Sequence, residues 1–109
     1  MSNKYQAAFV IPVGANKTLG EDGWEFESSE RISRDLEAYF ARTLELDFVK
    51  EYSGIKEYAG ARFKMLIIFD DEKNIENIFF QVFSEGLSVL SEACLDKKNF
   101  SKAELFIPG

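Results

Sequence analysis

The side chains that could do chemistry are mostly carboxylates, and two segments of the chain hold clusters of them. The first segment, residues 17–30, contains Glu21, Asp22, Glu25, Glu27 and Glu30, and the second is the run Asp70, Asp71 and Glu72. Carboxylate oxygens are the ligands that hard cations such as Ca²⁺ prefer. Neither segment has the ligand spacing of a calcium loop, and neighbouring side chains at a strand end point in different directions. We therefore expect no metal site and no cofactor.

Nucleophilic and acid–base chemistry has few candidates in this sequence. The chain has no histidine, which excludes Ser–His and Cys–His nucleophiles, the usual general base near neutral pH and the commonest zinc ligand. The single cysteine, Cys94, has no cationic neighbour before Lys97 and lies among apolar residues, which favours a buried, inert thiol. We therefore expect a protein that is not an enzyme. A small enzyme that uses Tyr, Lys or carboxylates is kept as an alternative.

The charge balance points to a kind of partner. The 109 residues include 13 Lys and Arg against 19 Asp and Glu, which gives a net charge of −6. Direct nucleic-acid binding needs clustered basic side chains, and we do not expect it here. An acidic protein more readily meets a basic protein surface, although acidity can also serve solubility alone. The composition therefore favours a protein partner with a basic surface.

Residues 17–30, KTLGEDGWEFESSE, are the predicted working surface. Five acidic residues and one lysine give this segment a net charge of −4, and it holds the only tryptophan. We expect a connection of about fifteen residues between a strand and a helix, longer than the usual 2–6, and such loops often carry function. The predicted partner-binding residues are Glu21, Asp22, Trp24, Glu25 and Glu27. The alternative has Trp24 folding back onto a sheet, together with Phe26, as a lid over the core.

Hydrophobic periodicity predicts the elements that position this segment. Alternating apolar residues in 4–13 predict a central strand that ends at Pro12. Apolar residues at helical spacing predict an amphipathic helix over residues 29–46, with its buried stripe at Ile32, Leu36, Tyr39, Phe40 and Leu44.

The second half of the chain predicts two paired strands, a helix and a last strand. Residues 48–69 are rich in Phe, Val, Tyr and Ile and predict a hairpin, with glycines marking a turn and a bulge. The acidic run 70–72 then suits the N-terminus of a long helix whose apolar stripe extends from Ile75 to Cys94. Residues 103–107 predict a short strand before Pro108.

The resulting order is strand, helix, strand, strand, helix, strand. This order is typical of the ferredoxin-like split βαβ fold, a four-stranded antiparallel sheet with two helices on one face. We therefore predict one α+β domain over residues 1–109. Its first and third strands would lie at the centre, as their apolar composition suggests.

A second apolar row on the predicted second helix suggests self-association. Phe80, Phe83 and Leu87 are offset from the main stripe, and a helix that packs on a sheet does not need both rows. Either the acidic segment covers this row or a second copy of the chain does, which makes a homodimer possible.

The leading interpretation is a small acidic protein, of inhibitor, immunity or anti-defence type, that binds a basic protein partner without catalysis. A regulatory ferredoxin-like domain that binds a small molecule is the first alternative. The N-terminus shows no charged-then-apolar leader and the one cysteine cannot form an internal disulfide, so we expect a cytoplasmic protein. The apolar run 65–69 is too short to cross a bilayer, so no membrane partner is expected.

Overall fold

A computed structural model describes residues 4–98 and 100–108 of the chain. In chain order, the elements of this part are β1 (Gln6–Pro12), β2 (Asn16–Gly20), β3 (Gly23–Glu27), α1 (Asp35–Thr43), β4 (Asp47–Tyr52), β5 (Ile55–Ala59), β6 (Phe63–Phe69), β7 (Ile75–Val82), α2 (Gly86–Ala93) and β8 (Ala103–Phe106). The predicted single domain spans residues 1–109, of which 1–3, 99 and 109 lie outside the described residues.

The strands form one large sheet and one small one. Six strands pair antiparallel in the order β4-β5-β6-β7-β1-β8, and β2 and β3 form a separate two-stranded hairpin. The prediction of a ferredoxin-like, four-stranded sheet is therefore wrong. The described chain is mostly β, with eight strands and two helices.

The largest error concerns residues 75–82, which form β7 and not the first half of a long helix. Ile75, Ile78 and Val82 have helical spacing, but Ile78, Phe80 and Val82 also alternate, and the structure uses the alternation. Phe and Val are favoured in strands, and β7 gains two partners, β6 and β1. A short apolar run of this kind fits either period, and tertiary pairing decides between them.

The acidic run 70–72 forms the turn before β7 and does not begin a helix. Asp70 Oδ1 accepts hydrogen bonds from the backbone N–H groups of Glu72 and Asn74, each at 2.9 Å. The Asp70 N–H also donates to the Asn74 carbonyl oxygen at 2.9 Å, and Lys73 adopts a φ of 65°. Asp side chains stabilise turns in this way, so β6 and β7 form a hairpin.

Residues 47–69 form three strands, where the sequence predicted two. Ser53 and Gly54 have φ values of 46° and 78°, the pair of positive angles that a tight two-residue hairpin turn requires, and they join β4 to β5. The chain reverses again between β5 and β6, where the Gly60 N–H donates to the Phe63 carbonyl oxygen at 2.9 Å. The extra reversal adds a strand at the sheet edge.

One face of the six-stranded sheet packs against both helices and forms the main core. Leu36 and Phe40 of α1 and Leu90 of α2 are fully buried in the same cluster as the inward residues of β1, β6 and β7. The Tyr39 hydroxyl donates to the Ala93 carbonyl oxygen at 2.6 Å and so joins the two helices. The stripe predicted for the first helix is buried throughout, although α1 begins only at Asp35.

The predicted self-association row, Phe80, Phe83 and Leu87, does not exist as a helix surface. Phe80 lies in β7 and is fully buried, so no partner chain can contact it. Phe83 follows β7 and packs edge-on against Tyr5, while Leu87 lies in the first turn of α2 and packs against the core. The three residues lie in different local structures because residues 75–82 form a strand and the helix begins only at Gly86.

None of the helices in the described residues is long and apolar enough to cross a membrane.

Candidate functional site

The acidic segment is not an irregular loop but the β2–β3 hairpin. Its register pairs Gly20 with Gly23, so Glu21 and Asp22 occupy the tip. Gly23 has a φ of 114°, a conformation that strains any residue with a side chain, and it lets the chain reverse here. The structure thus gives the predicted site a defined backbone, with alternate side chains on two faces.

The inner face of the hairpin is aromatic and packs on the side of the sheet that the helices leave open. Phe26 contacts Phe9 of β1 with ring centroids 5.0 Å apart, and Phe106 of β8 at 5.9 Å. Phe9 also lies 5.0 Å from Phe79 of β7. Aromatic ring pairs of this kind stabilise a fold by more than the burial of their apolar surface alone contributes. The hairpin is therefore held by an aromatic cluster of Phe9, Trp24, Phe26, Phe79 and Phe106.

Trp24 belongs to this aromatic cluster, so the structure favours the lid over the partner anchor. Its ring meets Phe106 edge-on, with centroids 4.9 Å apart, and its side chain is half-buried. Lys17, two positions before Leu19 on the same face, lies over the Phe106 ring at 5.6 Å and 3.8 Å from Glu104. Trp24 therefore holds the hairpin on the sheet, and its partner-binding role stays a prediction.

Replacing Trp24 with alanine should loosen the hairpin. Because Trp24 is only half-buried, we expect a loss of about 1–2 kcal/mol in the free energy of unfolding, less than the roughly 3–5 of a fully buried aromatic. Hydrogen exchange should quicken at amides 16–27 and stay unchanged in β6. The matched control is Glu25→Ala on the outer face, which should change stability by less than about 0.5 kcal/mol. Unchanged exchange in Trp24→Ala would show that Trp24 does not hold the hairpin.

The outer face and tip of the hairpin present the predicted acidic side chains to solvent. Glu21, Asp22, Glu25 and Glu27 are all exposed. Within residues 4–98 and 100–108, none of these four carboxylates lies within an ion-pair distance of a basic group. Glu25 and Glu27 are two positions apart on β3, hence about 7 Å apart along one face. The structure therefore brings four unneutralised charges together on one scaffold.

At its base the hairpin continues into a shallow cleft of about 260 Å³, whose lining includes Glu27, Ser28, Arg31 and Glu76. The Arg31 guanidinium pairs with Asp70 at 2.9 Å and with Glu76 at 4.0 Å, and donates to the Ser28 carbonyl oxygen at 2.9 Å. Arg31 thereby joins the segment after β3 to the β6–β7 turn. The two acidic segments, far apart in sequence, lie on either side of this arginine.

Arg31 also sets the ionisation of Asp70. Its hydrogen bond, together with the bonds from Asn74 and Glu72, lowers the pKa of Asp70 below the ordinary 3.8. A carboxyl group with a lowered pKa in the folded state stabilises the fold above its unfolded pKa. That contribution is lost as the pH falls through the lower folded value. A carboxylic acid that donates a proton near neutral pH needs a raised pKa. The lowered pKa of Asp70 does not suit that role.

The pKa of Asp70 predicts a pH-dependent contribution to stability. From pH 7 to pH 3, the free energy of unfolding of the wild type should fall more than that of Asp70→Asn, because the variant has no carboxylate to protonate. Urea denaturation at both pH values measures the difference. Asp71→Asn serves as a control, because Asp71 is exposed and forms no ion pair within the described residues. If the free energy of unfolding falls equally between pH 7 and pH 3 in the wild type and in Asp70→Asn, the Arg31–Asp70 pair is ruled out as a source of stability.

A second, larger cleft of about 460 Å³ lies between α1 and the turns at residues 53–54 and 70–74. Glu37 Oε2 accepts hydrogen bonds there from the Tyr58 hydroxyl and from Lys56 Nζ, the latter at 3.2 Å. Burial and the bond to Glu37 raise the pKa of Tyr58 to about 12, so the phenol stays protonated at neutral pH. The lining is mostly charged, whereas small-molecule sites are mostly apolar. The small-molecule alternative gains a cleft of suitable volume but not of suitable lining.

Cys94 offers no nucleophile. Burial raises the pKa of its thiol to about 12, so the reactive thiolate is not formed at neutral pH.

Leu19 is a candidate contact residue that the sequence reasoning missed. It lies opposite Trp24 in the hairpin register and is 64% exposed, more than any other apolar side chain of β2 or β3. A signal was present, because residues 17–19 and 24–26 alternate about the four-residue turn Gly-Glu-Asp-Gly, a pattern that indicates a hairpin.

No protein-family model, curated protein or solved structure matches this chain.

Proposed function

We propose that the protein acts without catalysis, by binding a basic surface of another protein through the tip and outer face of the β2–β3 hairpin. The observation that carries this proposal is the division of the hairpin into two faces. One face is anchored to the sheet by aromatic rings, and the other presents to solvent four carboxylates that form no ion pair within the described residues, those of Glu21, Asp22, Glu25 and Glu27.

Anchoring supports binding because it lowers the entropy lost on association. A flexible acidic loop must be ordered when it meets its partner, at a cost for each side chain and backbone segment fixed. The hairpin is already fixed by its ladder and by the contacts of Phe26 and Trp24 with the sheet. Its carboxylates therefore meet a complementary surface in a preformed arrangement.

The charges determine which partner is met and how fast. Complementary potentials steer encounter and disfavour wrong partners, while apolar burial mainly slows dissociation. Leu19, which is exposed at the tip end of the hairpin on the same face as Trp24, supplies an apolar contact at the margin of the acidic surface, in place of the buried Phe80. A partner surface with lysines or arginines beside a small apolar patch fits this arrangement.

Proteins that bind nucleic acids present such basic surfaces, since their binding depends on clustered lysine and arginine. An acidic hairpin that occupies one would block its use, which is the action of an inhibitor, immunity or anti-defence protein. The proposed compartment is the cytoplasm. Small secreted proteins often depend on disulfides, and a chain with one cysteine cannot form an internal one.

Photo-crosslinking tests the proposed surface directly. Thr18 lies opposite Glu25 on the outer face and is exposed, and Ala38 is exposed on α1. A photoreactive amino acid at position 18 should crosslink a basic protein in a lysate of the native host, and the same amino acid at position 38 should not. Crosslinks at position 38 but not at position 18 would place the binding surface elsewhere.

A further inference from the structure

The two edges of the six-stranded sheet differ in what they expose. The edge strand β8 has four residues and is followed by Pro108, which has no N–H to donate to an added strand. The other edge strand, β4, has six residues, all of them exposed. Short edges and prolines close a sheet against further pairing, and β4 has neither protection.

Apolar side chains lie along the β4 edge. Phe48, Val49 and Tyr52 are 55%, 48% and 41% exposed. Within the described sheet β4 pairs with β5 alone, so the backbone groups on its outer side are open to another strand. Phe48 and Tyr52 lie opposite Tyr58 and Ile55 in the register and so project to opposite faces, which means that an added strand would meet an exposed apolar side chain on each face.

Charge at this edge distinguishes between possible occupants. Asp47 and Glu51 form no ion pair within the described residues. Glu51 lies opposite Lys56, but Lys56 Nζ is bonded to Glu37 at 3.2 Å. Lys50 lies over the Tyr52 ring at 5.1 Å. The edge therefore carries two carboxylates against one lysine, and the carboxylates flank Phe48 and Val49.

We propose that β4 binds an extended segment of another protein as a seventh strand, and that basic side chains flank apolar ones in this segment. Backbone hydrogen bonds would supply affinity, and the exposed apolar and acidic side chains would select the sequence. A second copy of this chain is a poorer occupant, because each copy carries a net charge of −6.

This surface is independent of the hairpin. The hairpin packs on β1 and β8, whereas β4 lies at the far edge, five strand spacings or about 24 Å from β8. A register shift between Phe48 and Lys50 leaves Val49 as an extra residue, a β-bulge that bends the edge. Bulges of this kind blunt an edge against general pairing, so an added strand would have to accommodate the extra residue Val49.

The test uses a blocked heptapeptide that alternates lysine and valine, with a glutamate–valine heptapeptide as control. The lysine–valine peptide should slow hydrogen exchange at amides 47–52 and leave amides 16–27 unchanged. At a salt concentration that screens distant charges, a protein in which Glu21, Asp22, Glu25 and Glu27 are all replaced by lysine should bind this peptide as tightly as the wild type. The peptide can therefore bind β4 even if the hairpin binds no partner.

Two variants locate the contact. The double variant Phe48→Ser, Tyr52→Ser should bind the lysine–valine peptide at least tenfold more weakly, while Leu95→Ser, at a 74% exposed position after α2, should not differ from wild type. All three positions are exposed, so the fold should persist, and exchange in β6 checks this. Protection confined to the hairpin, equal binding of both peptides, or no binding at millimolar peptide would overturn the proposal. Protection of amides 47–52 by self-association alone would also overturn it.

Discussion

The Phe80→Ala variant should lose about 3–5 kcal/mol of its free energy of unfolding, a large part of the roughly 5–15 that a domain of this kind possesses. Phe80 is fully buried in β7, with its ring centroid 5.2 Å from that of Phe40 and 6.4 Å from that of Phe63. Truncation leaves a cavity between the sheet and α1 that the surrounding rings cannot fill without strain.

Chemical denaturation measures this loss, and the matched control is another phenylalanine of a strand. Phe48 is 55% exposed on β4, so Phe48→Ala should change the free energy of unfolding by less than about 0.5 kcal/mol. Sedimentation of Phe80→Ala at a temperature where it stays folded should show no change in oligomeric state. A stable Phe80→Ala protein that has lost a dimer would instead restore Phe80 to a surface and contradict β7.

Reversal of the hairpin charges should abolish partner binding without unfolding the protein. In the variant with Glu21, Asp22, Glu25 and Glu27 all replaced by lysine, four attractive charges become repulsive. We expect at least a hundredfold weaker binding, which corresponds to about 2.7 kcal/mol. The midpoint of thermal unfolding should stay close to that of the wild type, because exposed hairpin charges contribute little to stability.

A control variant separates the hairpin from the effect of net charge. Asp35, Glu45, Glu85 and Glu92 are exposed in or beside the helices. Their replacement by lysine, four reversals of two charges each, takes the net charge from −6 to +2, as the hairpin variant does. This control should retain binding. Equal loss in both variants would show that overall charge, and not the hairpin, determines association. Unfolding of the hairpin variant alone would mean that the acidic residues belong to the architecture.

The sequence predicted the elements in which the spacing of the apolar residues fits a helix or a strand but not both. The alternation before Pro12 indicated β1, the last apolar run indicated β8, and helical spacing indicated the buried stripe of α1. In each case the apolar residues fit only one of the two periods, or a proline bounds the run. Local pattern was sufficient there because no distant partner had to be known.

The fold was mispredicted where the choice depended on distant pairing. Residues 75–82 fit a helix and a strand equally well in their apolar spacing, and only the strands β6 and β1 on either side select the strand. The acids before it suited a helix N-terminus, but Asp70 closes a turn instead. With this one change the second predicted helix shortens to residues 86–93 and the self-association row disappears.

The sequence predicted which residues make up the candidate site, but not the backbone structure that holds them. The charge of residues 17–30 and Trp24 indicate a site, but the segment reads as a loop where the structure has the β2–β3 hairpin. The direction that Trp24 faces depends on Phe106, which is more than eighty residues later in the chain and is absent from any local pattern. For the same reason the sequence did not bring Arg31 to Asp70.

The most direct test of hairpin-mediated binding is a comparative capture from a lysate of the native host. The wild type, the hairpin variant and the helix-side control are used as baits, each at low and at moderate salt, and the captured proteins are identified by mass spectrometry. We predict a basic protein that is captured by the wild type and the control, is missing with the hairpin variant, and decreases as salt screens the charges. Capture of the same protein by the hairpin variant at both salt concentrations would contradict binding through this hairpin.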